Sequence, residues 1–234
     1  MVTPPELLDV AGRRIAYRLR RGGPPTLLFL PGYASDMEGA KALALDSFAG
    51  RRGTAMLRLD YSGTGSSGGR FEDGTLAAWL EEALAAIDQL TAGPLIIVGS
   101  SMGGWIALHL ALLRPERVRA LVLIAAAPDF TDWGITAEQA RQLTDEGRMT
   151  RSFLESCQRL LLLNSEIAID CPVRLLHGER DKDVPLEVAF RTMRALRSGD
   201  VQLTVLKGGG HRLSEPHEID AILRTVAALL EPAP

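Results

Sequence analysis

Short apolar runs alternate with longer helix-patterned stretches through almost the whole chain, and this alternation constrains the fold more than any other feature. Such a pattern predicts a largely parallel sheet wrapped by helices. The strand runs cover residues 26–30, 55–59, 95–98, 121–125, 173–176 and 201–206. Each is short, apolar and bounded by Gly, Pro or charge, as strands buried on both faces are. Residues 10–19, turning at Gly12, predict an antiparallel opening hairpin, which brings the expected sheet to about eight strands. Between the runs, Leu76, Leu80, Ala83, Leu84 and Ile87 repeat with helical period behind Asp73 and Thr75, either of which suits a cap. Ile219, Ile222, Leu223, Val226, Leu229 and Leu230 repeat likewise, and Pro185 suits the first turn of a helix through Ala189, Met193 and Leu196. All these positions are core by default.

The rhythm breaks between residues 128 and 170, a helix-rich, polar interval holding Trp133 and the apolar run Leu160, Leu161, Leu162, Leu163. It reads as a cap insertion of one domain spanning 1–234. Phe130, Trp133 and Phe153 within it are either packing residues or pocket-facing aromatics, and Phe130, Trp133 and Leu160 to Leu163 are the candidates for the apolar wall of a pocket.

Composition excludes several function classes. The formal net charge is −3, with no Lys/Arg block long enough to track a phosphate backbone, so nucleic acid is not an expected partner. The longest apolar run, residues 120–127, is too short to span a bilayer. Residues 1–10 carry Glu6, Asp9 and two prolines and lack the basic flank and apolar stretch of a targeting signal. Cys157 and Cys171 have no metal-like spacing and read as reduced thiols, which favours a reducing compartment, the cytoplasm.

Two glycine motifs compete for the function. Gly63, Gly65 and Gly68 spell G-x-G-x-x-G after a strand, the pattern of a dinucleotide site. Its context is wrong: the acidic residue needed about 20 positions on is Asp88, which falls inside a helix pattern instead of at a strand end. Gly99-Ser100-Ser101-Met102-Gly103 spells G-x-S-x-G, with an apolar strand before it and an apolar helix from Gly104 after it, which is the strand–turn–helix context this motif requires. A serine on so tight a turn has strained backbone angles and close neighbours, so the flanking positions tolerate little beyond hydrogen.

A serine hydroxyl needs a base, and the base needs an orienting carboxylate. His109 lies within a helix, His177 ends a strand and His217 starts a helix; His211 sits on the loop after residues 201–206, where a side chain can bend over the sheet edge. For the acid, Asp181 and Asp183 follow the 173–176 strand, whereas Asp170 precedes it. Asp181 gives the order Ser101, Asp181, His211 of nucleophile, acid and base; Asp183 reads as a solvated charge or helix-start residue. Backbone N–H groups of Met102 and of Tyr33, after Pro31-Gly32, are the expected oxyanion donors. No metal or organic cofactor is expected.

With these residues assembled, the chain resembles the α/β-hydrolases from residue 26 to the His211 loop. Leu30-Pro31-Gly32-Tyr33, Asp60-Tyr61-Ser62-Gly63, Gly99-Ser100-Ser101-Met102-Gly103-Gly104-Trp105 and Ala127-Pro128-Asp129-Phe130-Thr131 together resemble one branch, the mitochondrial acyl-protein (palmitoyl) thioesterases and acyl-glucuronide esterases and their bacterial relatives. The resemblance implies hydrolysis of S-acyl groups or activated esters by Ser101, His211 and Asp181, on a small-molecule acyl substrate or an S-acylated protein. It also implies that residues 60–68 shape the active-site rim. The insertion is shorter than is usual for the branch. Two other readings stay open: a small-ester carboxylesterase or lactone-type hydrolase, and a noncatalytic hydrolase-fold receptor.

Overall fold

The computed structural model describes residues 4–146 and 149–231. The chain opens with strands β1 (Glu6–Val10), β2 (Arg13–Arg20) and β3 (Gly23–Leu30), then helix α1 (Ala40–Arg52) and β4 (Thr54–Leu59). Next come α2 (Leu76–Leu90), β5 (Leu95–Ser100), α3 (Met102–Leu113) and β6 (Val118–Ile124). Three short helices follow: α4 (Phe130–Trp133), α5 (Ala137–Asp145) and α6 (Arg151–Gln158). The chain closes with β7 (Val173–Gly178), α7 (Leu186–Ala195), β8 (Val201–Leu206) and α8 (Pro216–Leu230).

The strands form one eight-stranded sheet in the order β1-β2-β4-β3-β5-β6-β7-β8. The opening hairpin pairs antiparallel through β2 to β4, and the strands from β4 through β3 to β8 run parallel. The hairpin begins at Glu6, four residues before the expected start, and turns at Ala11-Gly12. Thr75, not Asp73, caps α2, its hydroxyl accepting the Ala78 N–H. Pro185 stands at the N-cap of α7, one position outside the helix.

Side chains alternate across the central strands, so each strand feeds two cores. Leu28, Leu30, Leu95 and Ile97 face α2 and α3 on one side. Leu27, Phe29, Ile96 and Val98 face α1 and α8 on the other. A helix over α1 was not among the expected elements. Its buried stripe is only Ala42, Leu45, Phe48 and Ala49, set among charged residues.

Loops that follow parallel strands gather at the carboxyl edge of the sheet, where α/β folds place their ligands. Ser101, Asp181 and His211 follow β5, β7 and β8 in that order. Residues 128–170 carry α4 to α6 and supply Phe130, Trp133 and Ile135 to the same edge. Asp129 locks this segment down. Fully buried, its carboxylate accepts the N–H groups of Leu162 (2.9 Å) and Leu163 (2.7 Å). Trp105 Nε1 donates to the Leu160 carbonyl at 3.0 Å, which ties the same stretch to α3.

Candidate active site

Ser101 sits between β5 and α3 with φ 54° and ψ −120°, a left-handed φ that costs about 1–3 kcal/mol for a non-glycine residue and persists only when surroundings impose it. The end of β6 and the residues just past it impose it here: the Ser101 N–H donates to Ile124 O at 2.9 Å, and the Ser101 carbonyl accepts from Ala127 N at 3.1 Å. The flanking glycines are sterically required. A Cβ on Gly99 would lie 2.4 Å from the Gly103 carbonyl oxygen, and one on Gly103 would lie 2.2 Å from that of Leu30.

His211 Nε2 lies 3.1 Å from Ser101 Oγ, and His211 Nδ1 lies 2.9 Å from Asp181 Oδ2. The other carboxylate oxygen of Asp181 accepts the N–H groups of Asp183 and Val184, both at 2.9 Å. Burial alone opposes charge on Asp181, but the bonds from His211 and the Val184 N–H outweigh it and hold the carboxyl below its usual value. A carboxylate that stays ionised keeps the proton on Nδ1 and leaves Nε2 free to face the serine, the tautomer a general base needs.

The loops bearing Asp181 and His211 are stitched together. Glu179 N–H donates to Leu206 O (2.9 Å) and Arg180 N–H to Gly209 O (2.8 Å), so the pairing of β7 with β8 continues past the strand ends. Lys41 Nζ donates to the Arg212 carbonyl and ties the His211 loop to α1 as well.

The expected oxyanion donors flank the serine. Met102 heads α3, where helix geometry leaves the first N–H groups without an intrahelical acceptor. The 31–33 turn presses against the serine so closely that a Cβ on Gly32 would stand 3.2 Å from Ser101 Cβ.

Two cavities meet at Ser101 and His211. A cleft of about 560 Å³ includes Ser35, Asp36, Lys41, Asp183, Arg212 and Ser214. A slot of about 150 Å³ is lined on its apolar side by Met102, Ala127, Phe130, Trp133, Ile135 and Val184. Phe130 and Trp133 therefore both pack and line: Phe130 meets Trp105 edge-on at 5.8 Å, and Trp133 Nε1 donates to Pro128 O at 2.6 Å. Phe153 is buried and joins Tyr33 and Trp79 behind the slot.

Some expectations are corrected. Leu160, Leu161, Leu162 and Leu163, offered as an apolar wall, line neither cavity, because Asp129, Trp105 and His109 hold their backbone away from Ser101. Residues 60–68 do not form the rim. They fold inward around the Asp60 carboxylate, which accepts from Met37 N (2.7 Å) and Ser66 N (2.8 Å). A Cβ on Gly65 would stand 2.1 Å from that carboxylate, so the glycines of this stretch serve a turn and leave no phosphate cradle. Asp183 is exposed as expected but faces both cavities.

The remaining histidines lie off the serine. His109 Nε2 contacts Leu160 O at 2.9 Å, His217 lies in the first turn of α8, and His177 is buried beneath the Asp181 loop. Asp181, Asp183 and His211 bring three potential ligand atoms within 4.8 Å of one another. His211 and Asp181 are already bonded to each other, however, so the donor set suits proton transfer better than metal binding. Burial pushes the Cys157 thiol up to about 12 and that of Cys171 to about 11, which leaves both thiols protonated at neutral pH.

An elbow serine beside a histidine–carboxylate pair, at the carboxyl edge of this sheet, is the architecture of a hydrolase. The model of the α/β-hydrolase fold matches residues 25–150, and the chain belongs to that family. It is 37% identical to human mitochondrial palmitoyl-protein thioesterase ABHD10, over 93% of this chain and 76% of the relative. The structure of mouse α/β-hydrolase domain-containing protein 10 superposes with a TM-score of 0.91 at 34% identity, covering 97% of this chain and 98% of that one. A crystal structure of a candidate hydrolase from Agrobacterium vitis S4 superposes with a TM-score of 0.89 at 37% identity, covering 98% and 100%.

Proposed function

We propose that the chain is a serine hydrolase that cleaves acyl esters and thioesters by acyl transfer. The observation that carries this reading is the unbroken line from Asp181 through His211 to Ser101 where an apolar slot meets a polar cleft. In this reading His211 takes the Ser101 proton as the hydroxyl attacks the carbonyl, and the oxyanion forms against the N–H groups of Tyr33 and Met102. His211 then protonates the leaving group, water enters, and the same base drives deacylation. Asp181 stays ionised throughout and steadies the imidazolium.

The two cavities supply a division of the substrate: acyl group in the slot, leaving group in the cleft. An S-acylated protein suits an open polar cleft, and the relatives named palmitoyl-protein thioesterases support it. The slot favours a second reading, a carboxylesterase of small or medium acyl esters, since it is much the smaller of the two cavities at the serine. A receptor has no use for so strained a serine. Cys157 and Cys171 are free thiols, which supports a reducing compartment.

Fluorophosphonate labelling followed by intact mass tests the chemistry. A single adduct is expected on the wild type and none on Ser101→Ala. Labelling that survives Ser101→Ala, or is absent from the wild type, overturns it.

A further inference from the structure

His177 stands outside the line of Ser101, His211 and Asp181, yet touches the loop that makes it. It is the penultimate residue of β7 and is 1% exposed. Its Nε2 lies 2.9 Å from the Val184 carbonyl oxygen and 3.6 Å from Asp181 Oδ2. A carbonyl only accepts, so this nitrogen carries a proton and donates it. Val184 is then gripped on both sides of its residue: the carbonyl by His177, the N–H by Asp181 Oδ1 at 2.9 Å. Asp183 N–H shares that oxygen. With Oδ1 occupied by two amides, the carboxylate cannot swivel, and Oδ2 is left turned to His211 Nδ1.

We propose that His177 is a positioning residue: by holding the Val184 carbonyl it fixes the 179–184 loop and keeps Asp181 Oδ2 on His211. The inference rests on the hydrolase reading for its kinetic consequence but not for its geometry. The imidazole is suited to the task because the carbonyl lies under the loop, where an unmade hydrogen bond is costly. Glutamine carries an N–H the same number of bonds from the backbone, whereas asparagine is one bond short and leucine has no donor.

The test compares His177→Leu, His177→Asn and His177→Gln with the wild type, each first shown to be folded by circular dichroism. The low-field proton resonance of the His211–Asp181 hydrogen bond is recorded, together with kcat and KM on p-nitrophenyl butyrate. In the leucine and asparagine variants the resonance is expected to broaden or move upfield. kcat is expected to fall about 10- to 100-fold, as a displacement of about 1 Å at a catalytic group does, with KM nearly unchanged. The glutamine variant is expected to recover both. A folded leucine or asparagine variant with an unaltered resonance overturns the proposal, as does a glutamine variant as impaired as leucine. Should leucine not fold, asparagine decides. A wild type that neither turns over nor labels sinks the hydrolase reading, and the resonance comparison still decides the role of His177.

Discussion

His211 reaches Ser101 with Nε2 3.1 Å from Oγ although 110 residues separate them and two strands, β6 and β7, lie between the strands that carry them. The imidazole is thus delivered from beyond an edge strand of the sheet, β8. Its position depends on the stitching of the 179–180 backbone to Leu206 and Gly209.

The two neighbouring carboxylates are expected to differ sharply. Asp181→Asn removes the acceptor that fixes the His211 tautomer and should lower kcat by about 10⁴-fold. Asp183 is hydrogen-bonded to Asp181 through its backbone N–H, and its exposed carboxylate, though within 4.8 Å of the other two groups, is solvated, so Asp183→Asn should change kcat by less than about 5-fold. Steady-state kinetics on both variants check this; the opposite ranking would move the acid to Asp183.

The depressed titration of Asp181 fixes the sign of a stability effect. Its folded carboxyl titrates below its unfolded counterpart, so ionisation stabilises the fold above the ordinary carboxylate range. That contribution fades as pH falls through the folded value. Denaturant melts of the wild type and Asp181→Asn should show their widest gap near neutrality, narrowing below about pH 4. A gap that widens on acidification contradicts the assignment. Activity should separately rise with pH through one ionisation, because the base must be unprotonated to accept the serine proton.

Gly103→Ala places a methyl 2.2 Å from the Leu30 carbonyl, backbone that cannot yield. Destabilisation of about 4 kcal/mol or more is expected, at the severe end for single substitutions, with loss of fluorophosphonate labelling. Gly199→Ala meets nothing within 4 Å and serves as the control. Thermal melts of both decide; an undisturbed Gly103→Ala protein would mean the elbow is looser than its contacts imply.

Asp129→Ala should strip the acceptor from the Leu162 and Leu163 amides and cost about 1–3 kcal/mol. Hydrogen exchange at those two amides should accelerate while Ile97 and Val98 in β5 stay protected. Uniform acceleration would show that the cap and sheet open as one unit.

In an acyl series from C2 to C16, kcat/KM should climb while added methylenes enter the slot, each contributing about 0.8 kcal/mol when fully buried. It should level once the slot is filled. Trp133→Ala should flatten the climb. A continued rise to C16 would show that the slot extends along the cap and would favour the long-chain thioesterase reading.

The elbow was legible because Gly99, Ser101 and Gly103 record a local steric necessity, written within five residues between a strand and a helix. The strands were legible for a related reason: Leu27 to Leu30 and Leu95 to Val98 are apolar on both faces, as buried parallel strands must be. Long-range hydrogen bonds left no such trace. Nothing local in Leu160 to Leu163 discloses that Asp129, more than thirty residues earlier, pins the amides of Leu162 and Leu163 and turns the run from the slot. The inward folding of residues 60–68 depends likewise on Asp60 and Met37 meeting across the sheet edge. His177 gave no signal beyond its place at a strand end, since its partner is a backbone carbonyl that any residue supplies.

Ser101 has both its N–H and its C=O engaged with the end of β6 and the residues just beyond it, whereas His211 and Asp181 ride on loops. The serine is therefore mounted on the framework itself, and its partners on arms that keep their place through stitches to one another, to His177 and to α1. Gentle heating should dislodge the arms first and silence turnover while the serine keeps its strained pose. Such inactivation reverses on cooling for as long as the sheet stays whole, and becomes permanent only when β5 and β6 part.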